Sequence, residues 1–147
     1  MTFAVNADLL RYMPTIMDNG VEDWTQELAE AESDVINIIK AKWFFVEFGN
    51  QRTRGMAIQP IYKPELLTAS QWTKATCYRA LTAYILPKLS TFRPEGDSFQ
   101  KQIDFYDQRF DEEMDIQFSV GVEYDINKNG VISESEKFPV LTNRLYR

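Results

Sequence analysis

The stretch from Trp24 to Trp43 leaves this chain little choice of local structure. Trp24, Leu28, Ala31, Val35, Ile38, Ile39 and Trp43 recur in steps of mostly three and four, while Glu27, Glu30, Glu32, Asp34 and Lys40 occupy the other side. Such spacing stacks side chains on one face of a 3.6-residue turn, which predicts a long helix with one buried and one wet face. Glu22 and Asp23 put negative charge at its start, where it complements the macrodipole. The same period returns on either side. Ala7 to Met17 carries Leu9, Leu10, Met13, Ile16 and Met17, with Pro14 set to interrupt it. Thr68-Ala-Ser-Gln71 reads as a capping box opening a core helix, with Trp72, Ala75, Tyr78, Leu81 and Ile85 on one stripe and Cys77, Ala80 and Tyr84 widening it. Pro87 and Pro94-Glu-Gly96 are expected to close that helix. Asp97 and Gln100 then cap a last one, striped by Phe99, Ile103, Tyr106, Phe110 and Met114, with Asp104, Asp107, Arg109, Asp111, Glu112 and Glu113 outside.

After the last helix the period changes. Phe118, Val120, Val122 and Tyr124 alternate with Ser119, Gly121 and Glu123, the pattern of a strand over 116–124. With a second short strand around 131–133 it predicts a β-hairpin. The fold expected is mainly α: a small helical bundle of about four helices with a C-terminal β-hairpin and an extended tail. At 147 residues and 44% apolar composition the chain suits one domain, residues 1–136, followed by a docking tail at 137–147.

The apex of that hairpin, Asp125-Ile-Asn-Lys-Asn-Gly130-Val-Ile-Ser-Glu-Ser-Glu136, fits the twelve-residue calcium-loop template. Asp125, Asn127 and Asn129 supply oxygens at first, third and fifth place, Val131 a carbonyl at seventh and Glu136 a carboxylate at twelfth, with Gly130 sixth. One Asp, two Asn and one Glu carry less charge than a tight sensor site, so any calcium ion would bind weakly. A strand entering the loop, and Pro139 three residues after Glu136, argue against a helix–loop–helix site. The competing reading is a turn built from Asn-Lys-Asn-Gly.

Other chemistry finds little support. The chain has no histidine, which removes the commonest general base and the usual zinc ligand, and one cysteine, Cys77, which excludes an internal disulfide. A net charge of −6 argues against a nucleic-acid binder. No apolar run approaches a membrane span and the start lacks a signal-peptide pattern, so a soluble chain made in a cytoplasm is expected. The acidic run Glu27 to Asp34 lies on a polar helix face rather than in a cleft and reads as a solvated or docking surface. Between Gln51 and Ile61 an irregular segment tipped by Arg52 and Arg54 is a candidate contact arm. The end, with Phe138, Leu141, Arg144, Leu145, Tyr146 and Arg147, is too small to fold alone and suits docking on a partner.

The order of these features resembles the head–tail connector proteins of tailed bacteriophages, also called adaptor, neck or head-completion proteins. The similarity lies in a short first helix (Ala7-Asp-Leu-Leu-Arg-Tyr-Met13), a long acidic helix ending in aromatics (Ala29-Glu-Ala-Glu-Ser-Asp-Val-Ile36 to Trp43), a core helix (Ala75-Thr-Cys-Tyr-Arg-Ala-Leu81), and Phe99 to Phe110 leading into Glu123-Tyr-Asp125. The resemblance implies a non-enzymatic virion protein of the neck that needs no cofactor. It would assemble with itself into a ring of about twelve copies, between portal protein above and tail or stopper protein below, with DNA passing through unread. It further implies that the C-terminal tail reaches the portal and that an extended loop contacts the next subunit. The alternative is a calcium-binding regulatory or interaction module built on residues 125–136.

Overall fold

A computed structural model describes residues 2–19, 21, 23–46, 61–89 and 98–137. The chain is mainly helical: α1 (Asn6–Tyr12), α2 (Thr25–Ile39), α3 (Ala69–Ala80), α4 (Ser98–Val120) and a short α5 (Glu134–Lys137). Single 3-10 turns lie at Ile16–Asn19 and Pro64–Leu66. Two compact units divide the chain, Met1–Val35 with Ala69–Ile116, and Ile36–Thr68 with Gln117–Arg147.

In the first unit, the predicted stripes are the core. Leu9, Met13 and Ile16 from the start of the chain, Trp24, Leu28 and Ala31 from α2 and its approach, and Cys77, Ala80, Leu81, Ile85 and Leu86 form one buried cluster, flanked by Tyr12, Ile103 and Tyr106. Pro14 ends α1 early, as its missing N–H requires. Side-chain caps then fix the entry to α2. The Asn6 amide donates to Asp23 Oδ1 (2.9 Å) while its own oxygen takes the Trp24 N–H (3.0 Å), and Asp23 Oδ1 also accepts the Thr25 N–H (3.0 Å). These donors hold the Asp23 carboxyl below its usual range, the Thr25 hydroxyl contributing most and Asn6 next.

Pro87 does not close the core helix. The α-helical turn Leu86–Leu89 contains it, and a π-helical turn at Leu81–Ile85 comes just before. Proline lacks an N–H and crowds the carbonyl four residues back, and a wider turn is one way to accommodate it. The wider turn also brings Leu81, Thr82, Ile85 and Leu86 all into the interior.

Thr76 Oγ1 is buried with no hydrogen-bond partner among the described residues. Thr76→Val should therefore stabilise the protein by about 1 kcal/mol, because it removes an unsatisfied polar atom at nearly constant shape. Chemical denaturation of the two forms measures this, and a loss of stability would show that the hydroxyl has a partner. The Cys77 thiol is fully buried, and desolvation, with a smaller contribution from Asp8, pushes its pKa up from 9.0 to about 12. The stabilisation linked to the protonated thiol is thus complete below pH 9 and declines by about 1.4 kcal/mol per pH unit as pH rises toward the folded value. Thiol-specific reagents at neutral pH are expected to label Cys77 only at the rate of unfolding.

The second unit is held by aromatic side chains. A π-helical turn, Lys40–Phe44, extends α2 and buries both Trp43 and Phe44. Tyr124 lies 5.5 Å from the Trp43 ring, 6.0 Å from Phe44 and stacked at 6.1 Å on Tyr62, while Phe44 and Tyr62 are 5.0 Å apart. The Tyr62 hydroxyl donates to the Ile36 carbonyl (3.1 Å), and the Tyr124 oxygen accepts the Lys63 N–H (3.0 Å). Burial pushes both phenols up, Tyr62 the more strongly.

The predicted β-hairpin is absent from the described residues. Residues 116–120 are the last turn of α4, and Gly121 (φ 108°) stops it by donating its N–H back to the Gln117 carbonyl (3.1 Å), the single-bond glycine cap. Ile116 and Val120 are exposed, so the alternation there did not mark a buried sheet face. Beyond Gly121 the alternating residues Val122 and Tyr124 are buried, though in no sheet. Their pairing is one isolated antiparallel bridge, Leu67 to Tyr124, flanked by Thr68 N–H to Glu123 carbonyl (3.2 Å) and Asp125 N–H to Leu66 carbonyl (3.1 Å). Residues 131–133 form no strand.

Candidate functional site

The loop that begins at Asp125 is folded by its own side chains. Asp125 Oδ2 accepts the Gly130 N–H (2.8 Å) and Oδ1 the Asn129 N–H (3.2 Å). The Asn127 amide oxygen also takes the Asn129 N–H (3.1 Å), and the Asn129 amide oxygen takes the Val131 N–H (2.8 Å). Lys128 (φ 58°) and Gly130 (φ 80°) both adopt left-handed conformations, turning the chain so that four oxygens of one short segment gather its N–H groups. A Cβ at position 130 would meet nothing within 4 Å, so glycine serves backbone conformation there rather than space.

Gly130 thus supplies the sharp turn that the calcium template places at its sixth position. Helix α5 begins at the tenth loop position, and a helix rather than a strand precedes the loop, although residues 121–124 separate α4 from Asp125. The donor set fits a hard, oxygen-seeking cation in part. Each of the Asp125, Asn127 and Asn129 oxygens keeps a second lone pair after accepting its N–H, and Val131 supplies a carbonyl. Against this, Asp125 is joined by no further pair of acidic, cysteine or histidine side chains among the described residues, and the Glu136 side chain lies outside what is described.

In sequence the acidic run Glu27 to Asp34 reads as a solvated or docking surface, and the fold uses Glu27, Glu32 and Asp34 of it as internal ties. Glu27 pairs with Lys88 (2.7 Å), Glu32 accepts the Phe3 N–H (3.0 Å), and Asp34 Oδ2 takes both Arg79 Nε (2.9 Å) and the Tyr84 hydroxyl (2.6 Å). The bond to Asp34 raises the Tyr84 pKa, with burial adding to it. These partners are 29 to 61 residues away in sequence, beyond the reach of a local pattern.

A different surface emerges on α4. Phe105 and Ile116 are 52% and 53% exposed, and the Arg109 guanidinium sits 5.2 Å over the Phe105 ring while pairing with Glu112 (3.5 Å). Beside Phe105 an open cleft of about 350 Å³ is walled by Tyr12, Pro14, Gln102 and Tyr106, and the buried Gln102 Oε1 has no hydrogen-bond donor among the described residues. The candidate contact residues Arg52, Arg54, Phe138, Leu141, Arg144, Leu145, Tyr146 and Arg147 lie outside the described residues.

Comparison with family models, with curated proteins and with solved structures returned no match. No helix among the described residues is long and apolar enough to cross a membrane.

Proposed function

We propose that this chain is a structural subunit of a tailed-phage neck, an adaptor that assembles with itself and joins portal to tail. The observation that carries the reading is the helix layout. A short N-terminal helix ending at Tyr12, a long acidic helix ending in Trp43 and Phe44, a buried core helix and a long last helix leading into Glu123-Tyr-Asp125 follow one another in the order that the resemblance calls for. The acidic character also suits a passage for DNA, since like charge keeps a polyanion from adhering. In the test, the purified protein is sized alone and after mixing with the portal ring of the genome that encodes it. Co-migration with the portal is expected, and a protein that never joins a portal overturns the proposal.

The loop at Asp125 favours a second reading, a calcium-binding interaction module. Four side-chain oxygens already ordered around one turn are the specific support. Calorimetric titration should give a dissociation constant in the weak range of about 10⁻⁴ to 10⁻³ M, lost in Asp125→Ala. Absence of heat at millimolar calcium retires the metal and leaves Asp125 as a turn residue.

A further inference from the structure

The exposed side of α4 has two properties that solvated helix faces do not usually combine. At about 100° per residue, Phe105, Arg109 and Ile116 fall on one stripe, and Asp104, Asp111 and Asp115 fall on another about 120° around the axis. The first stripe is half-exposed apolar surface organised by the Arg109 contacts, and the cleft with the donorless Gln102 Oε1 opens beside Phe105. The second is acidic, and neither Asp104 nor Asp111 has a cationic partner among the described residues. The surface therefore fits a segment with large apolar side chains, cations and spare N–H groups. It does not fit a second α4, because two rows of aspartate would face each other.

One segment of this chain has the complementary chemistry. Residues 138–147, Phe-Pro-Val-Leu-Thr-Asn-Arg-Leu-Tyr-Arg, hold five large apolar side chains and two arginines with no acid. We propose that the 138–147 segment of one copy docks on the α4 surface of a second copy, its aromatic and aliphatic side chains covering Phe105, Ile116 and the cleft, and Arg144 and Arg147 meeting Asp104 and Asp111. A donor segment on one copy and an acceptor surface on the next make a heterologous contact, the kind that closes into a ring when the rotation allows. The inference rests on the self-assembling reading above and gives the tail a neighbour in the ring, rather than the portal, as its partner.

The experiment uses the full-length chain and its charge reversals, with far-UV circular dichroism as the check that each is folded. Asp104→Lys/Asp111→Lys and Arg144→Glu/Arg147→Glu are each expected to weaken self-association by about tenfold or more across a concentration series in light scattering. Combining all four substitutions is expected to restore it. A synthetic peptide of residues 138–147 should dissociate the wild-type assembly and leave the Asp104→Lys/Asp111→Lys protein unaffected. Reversals that self-associate like wild type, a combination that fails to recover, or a wild-type chain that stays monomeric at every concentration overturns the contact. Portal mixing separates the two proposals. A tail reversal that self-associates normally but no longer joins the portal sinks this contact and leaves the adaptor reading standing, whereas a wild-type protein that self-associates through this contact yet never joins a portal sinks the adaptor reading alone.

Discussion

Replacing Trp72 with alanine is expected to cost about 3–5 kcal/mol of folding stability, a large share of the roughly 5–15 kcal/mol that holds a domain of this size together. Trp72 is the largest fully buried side chain among the described residues and lies one turn into α3, with Ala75 and Thr76 buried on the same helix. Removing the indole loses its transfer free energy and leaves a cavity. Urea denaturation followed by circular dichroism should show a lower midpoint with an unchanged slope. Trp72→Phe keeps most of the ring volume and should cost clearly less. A change below about 1 kcal/mol in the alanine variant would mean that the site collapses around the loss, against the packing seen here.

Tyr124→Ala should have a comparable effect on the second unit, about 3–5 kcal/mol, for a different reason. Tyr124 is 3% exposed, touches Trp43, Phe44 and Tyr62, and carries the bridge to Leu67 from which the Asp125 loop departs. Its truncation opens the aromatic cluster and frees the Lys63 N–H that its oxygen accepts. Tyr124→Phe isolates the second term and should cost about 0.5–1.5 kcal/mol, the net worth of one half-buried hydrogen bond. Fluorescence of Trp43 beside position 124 gives the local readout. Should Tyr124→Phe lose as much as Tyr124→Ala, the hydrogen bond and not the ring packing would be the dominant tie.

The helices were legible because their apolar positions repeat within one element. Leu28, Ala31 and Val35, like Trp72, Ala75, Leu81 and Ile85, occupy the interior as their spacing dictates. Short-range signals read less well where two periods overlap. The alternation from Phe118 to Tyr124 overlaps the last turn of α4, and Gly121, which that alternation places in a strand, is the residue that stops the helix. Pro87 misled in the other direction, because a π turn lets the helix run through it.

The loop shows the same division at smaller scale. Asp125, Asn127, Asn129 and Gly130 are enough by themselves to specify a turn that folds on its own side chains, since each oxygen reaches an N–H within five residues. What anchors the base of that turn is not written locally: Tyr124 bridges to Leu67 and accepts the Lys63 N–H, both about sixty residues away. Sequence alone determined the class of fold, the buried stripes and the absence of histidine and of an internal disulfide, because periodicity acts over a few turns and composition is read directly. Tertiary structure decided which acids became ties to Lys88, Arg79 and Tyr84, and which face of α4 kept Phe105 and Ile116 in solvent, because only packing determines which of a helix's polar and apolar residues find partners.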